Sequence, residues 1–167
     1  FAPRKYQQMF PPQQVQLPAV IAEDLKDVGK VGRDYGLVAA TSGLHRTVVE
    51  HHQWNQAVSS YLACVSYVDA LIGRLLDALD QSSHAKNTWI VLWSDHGWHL
   101  GEKEHWGKAT GWQRASHVPL LIVPPRDAPP AGFQAGTRCH RMVSLIDLFP
   151  TLIDACQLKP KADLDGK

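Results

Sequence analysis

Thr88-Trp89-Ile90-Val91-Leu92-Trp93 runs directly into Ser94-Asp95-His96-Gly97, and the junction decides how the chain is read. The first six residues are apolar or β-forming, too few for a helix and without the alternation of a half-exposed strand. They read as a strand buried on both faces. Neighbouring side chains on a regular strand point to opposite faces. At a strand end that turns through Gly97, however, the Asp95 carboxylate and the His96 imidazole can converge on one ion. Asp-His-Gly is equally a plain turn. Two donors also cannot complete a site, since calcium takes roughly six to eight oxygens and zinc roughly four ligands. Any ion held here needs donors from elsewhere.

Upstream, Trp54, Val58, Tyr61, Val65, Val68, Ile72, Leu75 and Leu79 recur at steps of three and four. They draw one apolar stripe along a helix over residues 53–79, with Gly73 marking a close packing contact. Downstream, residues 118–123 form a second strand, stopped by Pro124-Pro125, with Pro119 suited to its first positions. Residues 124–130 read as a loop and 141–145 as a third short strand. A last helix spans about 148–157. With Asp147 as its N-cap, Pro150 falls at the third helical position, where its missing N–H breaks no intrahelical bond. Residues 1–18, rich in Pro and Gln, read as an extended surface arm. A short helix fits 19–26, and Gly29, Gly32, Gly36 and Gly43 break any longer element. The pattern is α/β with a largely internal sheet, divided into a Pro/Gly-rich arm and loop segment (1–52), an α/β body (53–158) and a polar tail (159–167). Such sheets place ligands at the carboxyl ends of their strands, which is where Ser94–Gly97 falls.

Composition narrows the function classes. In 167 residues, Lys+Arg 17 against Asp+Glu 16 leaves a net charge of +1, so no basic field points to nucleic acid or to an anionic membrane. An apolar content of 44% excludes intrinsic disorder, and the length allows roughly 70% of the extended-chain surface to be buried. The longest apolar runs are far short of a membrane span. Cys64, Cys139 and Cys156 are odd in number and lack CxxC spacing, against both a disulfide framework and a zinc knuckle. Phe1 has no preceding Met and Ala2-Pro3-Arg4 opens no recognisable export signal, which implies a processed or excised piece. Five of the six tryptophans (Trp89, Trp93, Trp98, Trp106, Trp112) share one stretch with His96, His99 and His105, so chemistry is sought there. Lys108, beside His105 and Trp106, can hold an anionic oxygen or stand solvated at the surface. Glu102 can fix the turn after Gly101. Neither a GxSxG elbow nor HExxH occurs, and no Gly-rich phosphate loop follows a strand.

Ser94-Asp95-His96-Gly97-Trp98-His99-Leu100-Gly101-Glu102, then Trp106-Gly107-Lys108, then His117-Val118-Pro119-Leu120 resembles the type I sulfatases, closest to the iduronate-2-sulfatase and choline-sulfatase branch. Tyr61–Asp69 with Gly73-Arg74-Leu75-Leu76 resembles that family's long helix before the motif. Val143–Leu152 resembles its later Asp-x-x-Pro-Thr helix. The resemblance implies an alkaline-phosphatase-like three-layer α/β fold, here incomplete. It implies that Asp95 and His96 ligate a divalent metal, usually calcium, and that Lys108 contacts the sulfate as the catalytic cation. A formylglycine made from cysteine would attack sulfur. The presumed ligand pair is flanked by Trp98 and His99, which with His117 are candidates to line the substrate mouth; for Trp98, core packing is an equal alternative.

One departure from the pattern is large. The family's nucleophile motif is Cys-x-Pro/Ala-x-Arg, and none of the three cysteines fits it; the amino-terminal Asp-Asp metal pair is absent too. The chain therefore resembles the carboxyl-terminal part of a sulfatase, expected to be inactive by itself and to self-associate through an exposed sheet edge. The complete enzyme would act on a sulfated small molecule or sugar, in a periplasmic, lysosomal or extracellular setting. Two other readings stand beside it: a phosphatase or phosphodiesterase of the same superfamily, and a non-catalytic α/β scaffold retaining site residues.

Overall fold

The computed structural model describes residues 1–37 and 44–167; the break expected at Gly43 lies outside them. The chain folds as two units, Phe1–Pro129 and Pro130–Lys167.

In the first unit the apolar stripe forms helix α4, Trp54–Asp80, within a residue of its expected bounds at either end. Among the described residues three shorter α-helices precede it: α1 (Arg4–Gln7), α2 (Lys30–Gly36) and α3 (His45–Glu50). The amino-terminal segment is not an extended arm. Helix α1 packs on α4, with the rings of Tyr6 and Tyr67 5.2 Å apart. The Ser59 hydroxyl donates to the Phe10 carbonyl and the Asn55 amide to that of Pro12. These bonds give the Pro-rich segment partners that its own sequence does not show. Residues 22–27 form turns rather than the expected helix, and Glu23 takes a positive φ of 56°. Gly73 marks no close contact: a Cβ there would meet nothing within 4 Å.

Strand β1, Ile90–Trp93, pairs antiparallel with β4, Leu120–Val123, in the register Ile90↔Val123 to Trp93↔Leu120. Between them lie β2 (His99–Leu100) and β3 (Trp106–Gly107), which pair with each other, and the short helix α5 (Gln113–Ser116). The expectation that β1 is buried on both faces is corrected: Leu92, Trp93, Leu121 and Ile122 are exposed. The cause is the sheet, which has only two strands among the described residues. A run apolar on every side needs neighbours on both edges and cover on both faces. The same shortage shows in the total surface. The chain exposes 12625 Å², against roughly 8,200 Å² for a compact chain of 18.6 kDa. About half of the extended-chain surface is buried, not the roughly 70% that the length allows. The apolar core of the described residues is small, comprising Ala2, Leu25, Val58, Ala63, Trp106 and Ala115.

In the second unit helix α6, Leu148–Ala155, has Asp147 at its N-cap and Pro150 at its third position, as expected. The Asp147 side chain does not cap the helix. A 3-10 turn over Leu145–Asp147 keeps its backbone helical, and its carboxylate accepts the Lys167 N–H instead. The strand expected at 141–145 does not form. Met142 and Val143 are exposed and pair with no strand among the described residues, and unpaired extended backbone gains nothing over solvated coil.

Candidate functional site at the carboxyl end of the first strand

Beyond Trp93 the chain leaves β1 and turns. The Ser94 N–H still reaches the Pro119 carbonyl beside β4, at 3.3 Å. The Ser94 hydroxyl donates to the His96 carbonyl at 2.7 Å, closing a local turn. Gly97 donates its N–H to the Ala115 carbonyl at 2.8 Å, which ties the turn to α5. A Cβ at Gly97 would stand 1.9 Å from the Arg114 carbonyl oxygen, so the close approach admits only glycine.

This turn orients the Asp-His pair. His96 Nδ1 lies 2.9 Å from the Gly97 carbonyl oxygen. A carbonyl only accepts, so Nδ1 carries the proton, and in the neutral ring Nε2 keeps its lone pair. Nε2 is 3.5 Å from Asp95 Oδ2. The Asp95 side chain is 72% exposed and that of His96 30%, so both donor atoms are reachable from solvent. One carboxylate oxygen and one imidazole lone pair side by side fit a divalent cation as two of its ligands. Anchoring the other ring nitrogen on a backbone carbonyl is how metal-binding histidines are commonly held. No group of three or more His, Cys, Asp or Glu able to hold an ion forms among the described residues. Further donors must come from outside that set.

The turn borders a groove of about 860 Å³ between α4 and the end of β1, lined among others by Tyr61, Val65, His96, Trp98, Arg114 and His117. Three of the candidates, His96, Trp98 and His117, are thus brought to one groove, and the Trp98 ring lies 6.2 Å from that of His96. Asp95 adjoins His96. Lys108 and His99 are not among the lining residues.

His99, expected at the substrate mouth, is completely buried at 0% exposure. Its Nδ1 donates to the Glu102 carbonyl at 3.0 Å, and its Nε2 accepts from the Thr110 hydroxyl at 2.9 Å. Burial holds its imidazole below the ordinary histidine value, because the charged form would lose its hydration. A neutral ring with both nitrogens satisfied is a packing element. His45, whose ring meets that of Trp54 edge-on at 4.5 Å, is also shifted down by burial. Lys108 is half-buried on the segment leaving β3 and appears in no ion pair among the described residues. Its carbonyl is held by His105, whose Nε2 lies 2.7 Å away.

Glu102 does fix the turn. Its Oε2 accepts the Leu100 N–H at 2.8 Å, and its Oε1 pairs with Arg114 Nε at 3.1 Å. Arg114 was not legible as a site residue, since nothing in its local spacing joins it to Glu102 or to the groove. Lys103 binds Asp24 across 79 positions, at 2.8 Å. That hydrogen bond holds the Asp24 carboxyl below its ordinary range and raises the lysine. No helix among the described residues is long and apolar enough to cross a membrane.

The chain is similar to several known proteins. A curated sulfatase of Formosa agariphila is 34% identical over 170 residues, covering all of this chain and 32% of that protein. Human iduronate 2-sulfatase is 42% identical over 112 residues, covering 56% of this chain and 20% of its own length. Arylsulfatase K of Xenopus laevis is 31% identical over 106 residues, or 64% of this chain and 19% of that protein. The chain therefore spans a third or less of the curated relatives it matches. Among solved structures, a phosphonate monoester hydrolase from Silicibacter pomeroyi superposes with a TM-score of 0.73 at 27% identity, covering 99% of this chain and 33% of its own. A protein solved in complex with its substrate D-glucosamine-2-N,6-O-disulfate superposes with a TM-score of 0.60 at 32% identity, over 68% of this chain and 22% of its own. These neighbours carry the alkaline-phosphatase-like fold that the motifs imply. The family model described as Sulfatase matches residues 2–158, and on that match and the identity to the curated sulfatase over its whole length, this chain belongs to the Sulfatase family.

Proposed function

We propose that this chain supplies part of the metal and sulfate site of a sulfuric ester hydrolase of iduronate-2-sulfatase type, acting on a sulfated small molecule or sugar. The observation that carries the reading is the orientation of His96: its Nδ1–H is held by Gly97, which leaves Nε2 beside Asp95 Oδ2 at 3.5 Å. In this reading Asp95 and His96 are two ligands of a divalent cation, calcium by resemblance. When bound, such a cation supplies Lewis-acid polarisation of sulfate oxygens. Lys108 donates to the ester's bridging oxygen as negative charge gathers there, so it acts mainly in the transition state. Trp98 and His117 line the mouth, and His99 supports it from inside. The formylglycine nucleophile comes from outside these 167 residues, because none of the three cysteines lies in Cys-x-Pro/Ala-x-Arg. The chain by itself is then inactive and binds calcium weakly. The setting is periplasmic, lysosomal or extracellular, as for the resembling family.

The test is substitution in the catalytically competent protein. Lys108→Ala lowers kcat by about a hundredfold, the scale of losing one such electrostatic contact, with KM changed less and metal retained. Asp95→Ala loses metal and activity together. Near-normal kcat in Lys108→Ala overturns the role of the lysine. Turnover of an aryl sulfate by the 167-residue chain, abolished by Asp95→Asn, overturns the external nucleophile. The likeness to a phosphonate monoester hydrolase supports a second reading, a phosphoester or phosphonate-ester hydrolase of the same superfamily. A higher kcat/KM on an aryl phosphonate monoester than on the aryl sulfate selects it.

A further inference from the structure

Two buried histidines that the proposed reaction does not use close on the segment carrying Lys108. That segment turns sharply after β3: Gly107 has φ 98° and Ala109, a residue with a side chain, has φ 68°. Left-handed backbone at a non-glycine residue costs free energy and persists only where the surroundings hold it. Side-chain bonds do so on both sides of Ala109. His105 Nε2 is 2.7 Å from the Lys108 carbonyl oxygen, and His99 Nε2 is 2.9 Å from the Thr110 hydroxyl. The two imidazoles meet edge-on at 5.2 Å and are 2% and 0% exposed. His105 Nδ1 faces the Gly36 carbonyl at the end of α2, also at 2.7 Å. A neutral imidazole has one N–H and carbonyls only accept, so the ring donates to Lys108 or to Gly36 but not to both at once. The clamp is the tautomer that donates from Nε2.

We propose that His105 and His99 are positioning residues that set the backbone from which Lys108 presents its ammonium to an anionic sulfuryl group. The inference rests on the reading of Lys108 as a sulfate contact. Neither histidine touches the anion. His105 acts through the Lys108 carbonyl, and His99 through Thr110.

The two nitrogens of His105 can be separated by substitution. Gln places its amide N–H near the Nε2 position and keeps the bond to Lys108; Asn places it near Nδ1 and keeps only the bond to Gly36. NMR on the whole 167-residue chain reads both the order of the segment and its response to inorganic sulfate. In His105→Asn, backbone order parameters at Lys108, Ala109 and Thr110 are expected to fall from about 0.85 toward 0.6. The sulfate concentration that half-saturates the Lys108 shift rises about fivefold or more. His105→Gln stays within about twofold of the unsubstituted chain on this measure, an expectation that follows from its retained hydrogen bond. Thr110→Val, which removes the partner of His99 without emptying the core, follows the Asn variant, and α4 amides report that each variant is folded. Asn and Gln variants that behave alike, or a loosened segment with unchanged sulfate response, overturn the proposal. An unsubstituted chain without a sulfate response at Lys108 leaves the reading of that lysine to the kcat test in the competent protein. The clamp is then judged by the order parameters alone, equal values in Asn and Gln overturning it.

Discussion

Gly97→Ala tests the geometry of the Asp-His turn with a single methyl group. The added Cβ would stand 1.9 Å from the Arg114 carbonyl oxygen, 3.0 Å from its carbonyl carbon and 3.3 Å from the Ala115 α-carbon. Relaxed carbon-to-oxygen contacts lie near ~3.3 Å or beyond, so the turn and α5 must separate by roughly 1.4 Å. All three atoms are backbone, and no side-chain rotamer can relieve the clash. Separation breaks the Gly97 N–H bond to Ala115, 2.8 Å long, a loss of about 1 kcal/mol. Backbone displacement adds about 1–3 kcal/mol, and the stiffer unfolded chain returns about 0.4–1 kcal/mol. The net destabilisation is about 1–3.5 kcal/mol, which lowers Tm by roughly 2–14 °C in a chain of this size. Thermal unfolding followed by circular dichroism reads it, with Gly111→Ala as control, since a Cβ there meets nothing within 4 Å. The same shift moves the Gly97 carbonyl off His96 Nδ1, so metal affinity in the competent protein should fall with stability. A Gly97→Ala Tm within 1 °C of the Gly111→Ala value, a margin of under about 0.5 kcal/mol, would refute the reasoning.

Gly73 lies in the exposed interior of α4 with open space at its Cβ, so Gly73→Ala should stabilise by about 0.5–1 kcal/mol, read as a raised denaturation midpoint. His99 is held below its ordinary value of 6.5 by burial, so the unfolded chain binds its proton first as pH falls. Stability should be full above about pH 6.5 and decline below it, and His99→Gln should flatten that slope in urea titrations between pH 7 and 5. Asp24 is held down by its bond to Lys103, so its contribution is present above its unfolded value of about 3.9 and is lost as pH falls through the lower folded one. Lys103→Met should weaken that acid-side loss. The β1–β4 ribbon has no third strand among the described residues, and we expect self-association through its edges; a monomer by sedimentation at high concentration would count against it.

Elements with a strong local signal were legible in the sequence. The three-and-four spacing of apolar residues sets α4 to within a residue, because a 3.6-residue period shows through whatever covers the helix. The runs 88–93 and 118–123 each hold a strand over their last four residues, Ile90–Trp93 and Leu120–Val123, because β-branched, aromatic and large apolar residues favour extended backbone over so short a length. The Asp147 boundary of α6 followed from what Pro150 permits. The Asp-His pair at the strand end was equally readable, since a glycine after two metal-donor types marks a turn that can bring them together.

Tertiary structure alone decided what surrounds these pieces. Burial of β1 depends on neighbours, and a two-stranded ribbon leaves Leu92 and Trp93 exposed whatever their hydropathy suggests. The short helices α2 and α3 carry too few residues for a periodic signal and form where the rest of the chain meets them. His99 and His96 look alike in the sequence, three positions apart. Only the fold gives one of them the Glu102 carbonyl and the Thr110 hydroxyl in a dry interior, and leaves the other with its Nε2 beside Asp95 at 3.5 Å. Hydrogen-bond partners eleven or seventy-nine positions away leave no mark in local spacing, because they are fixed by how the chain closes in space.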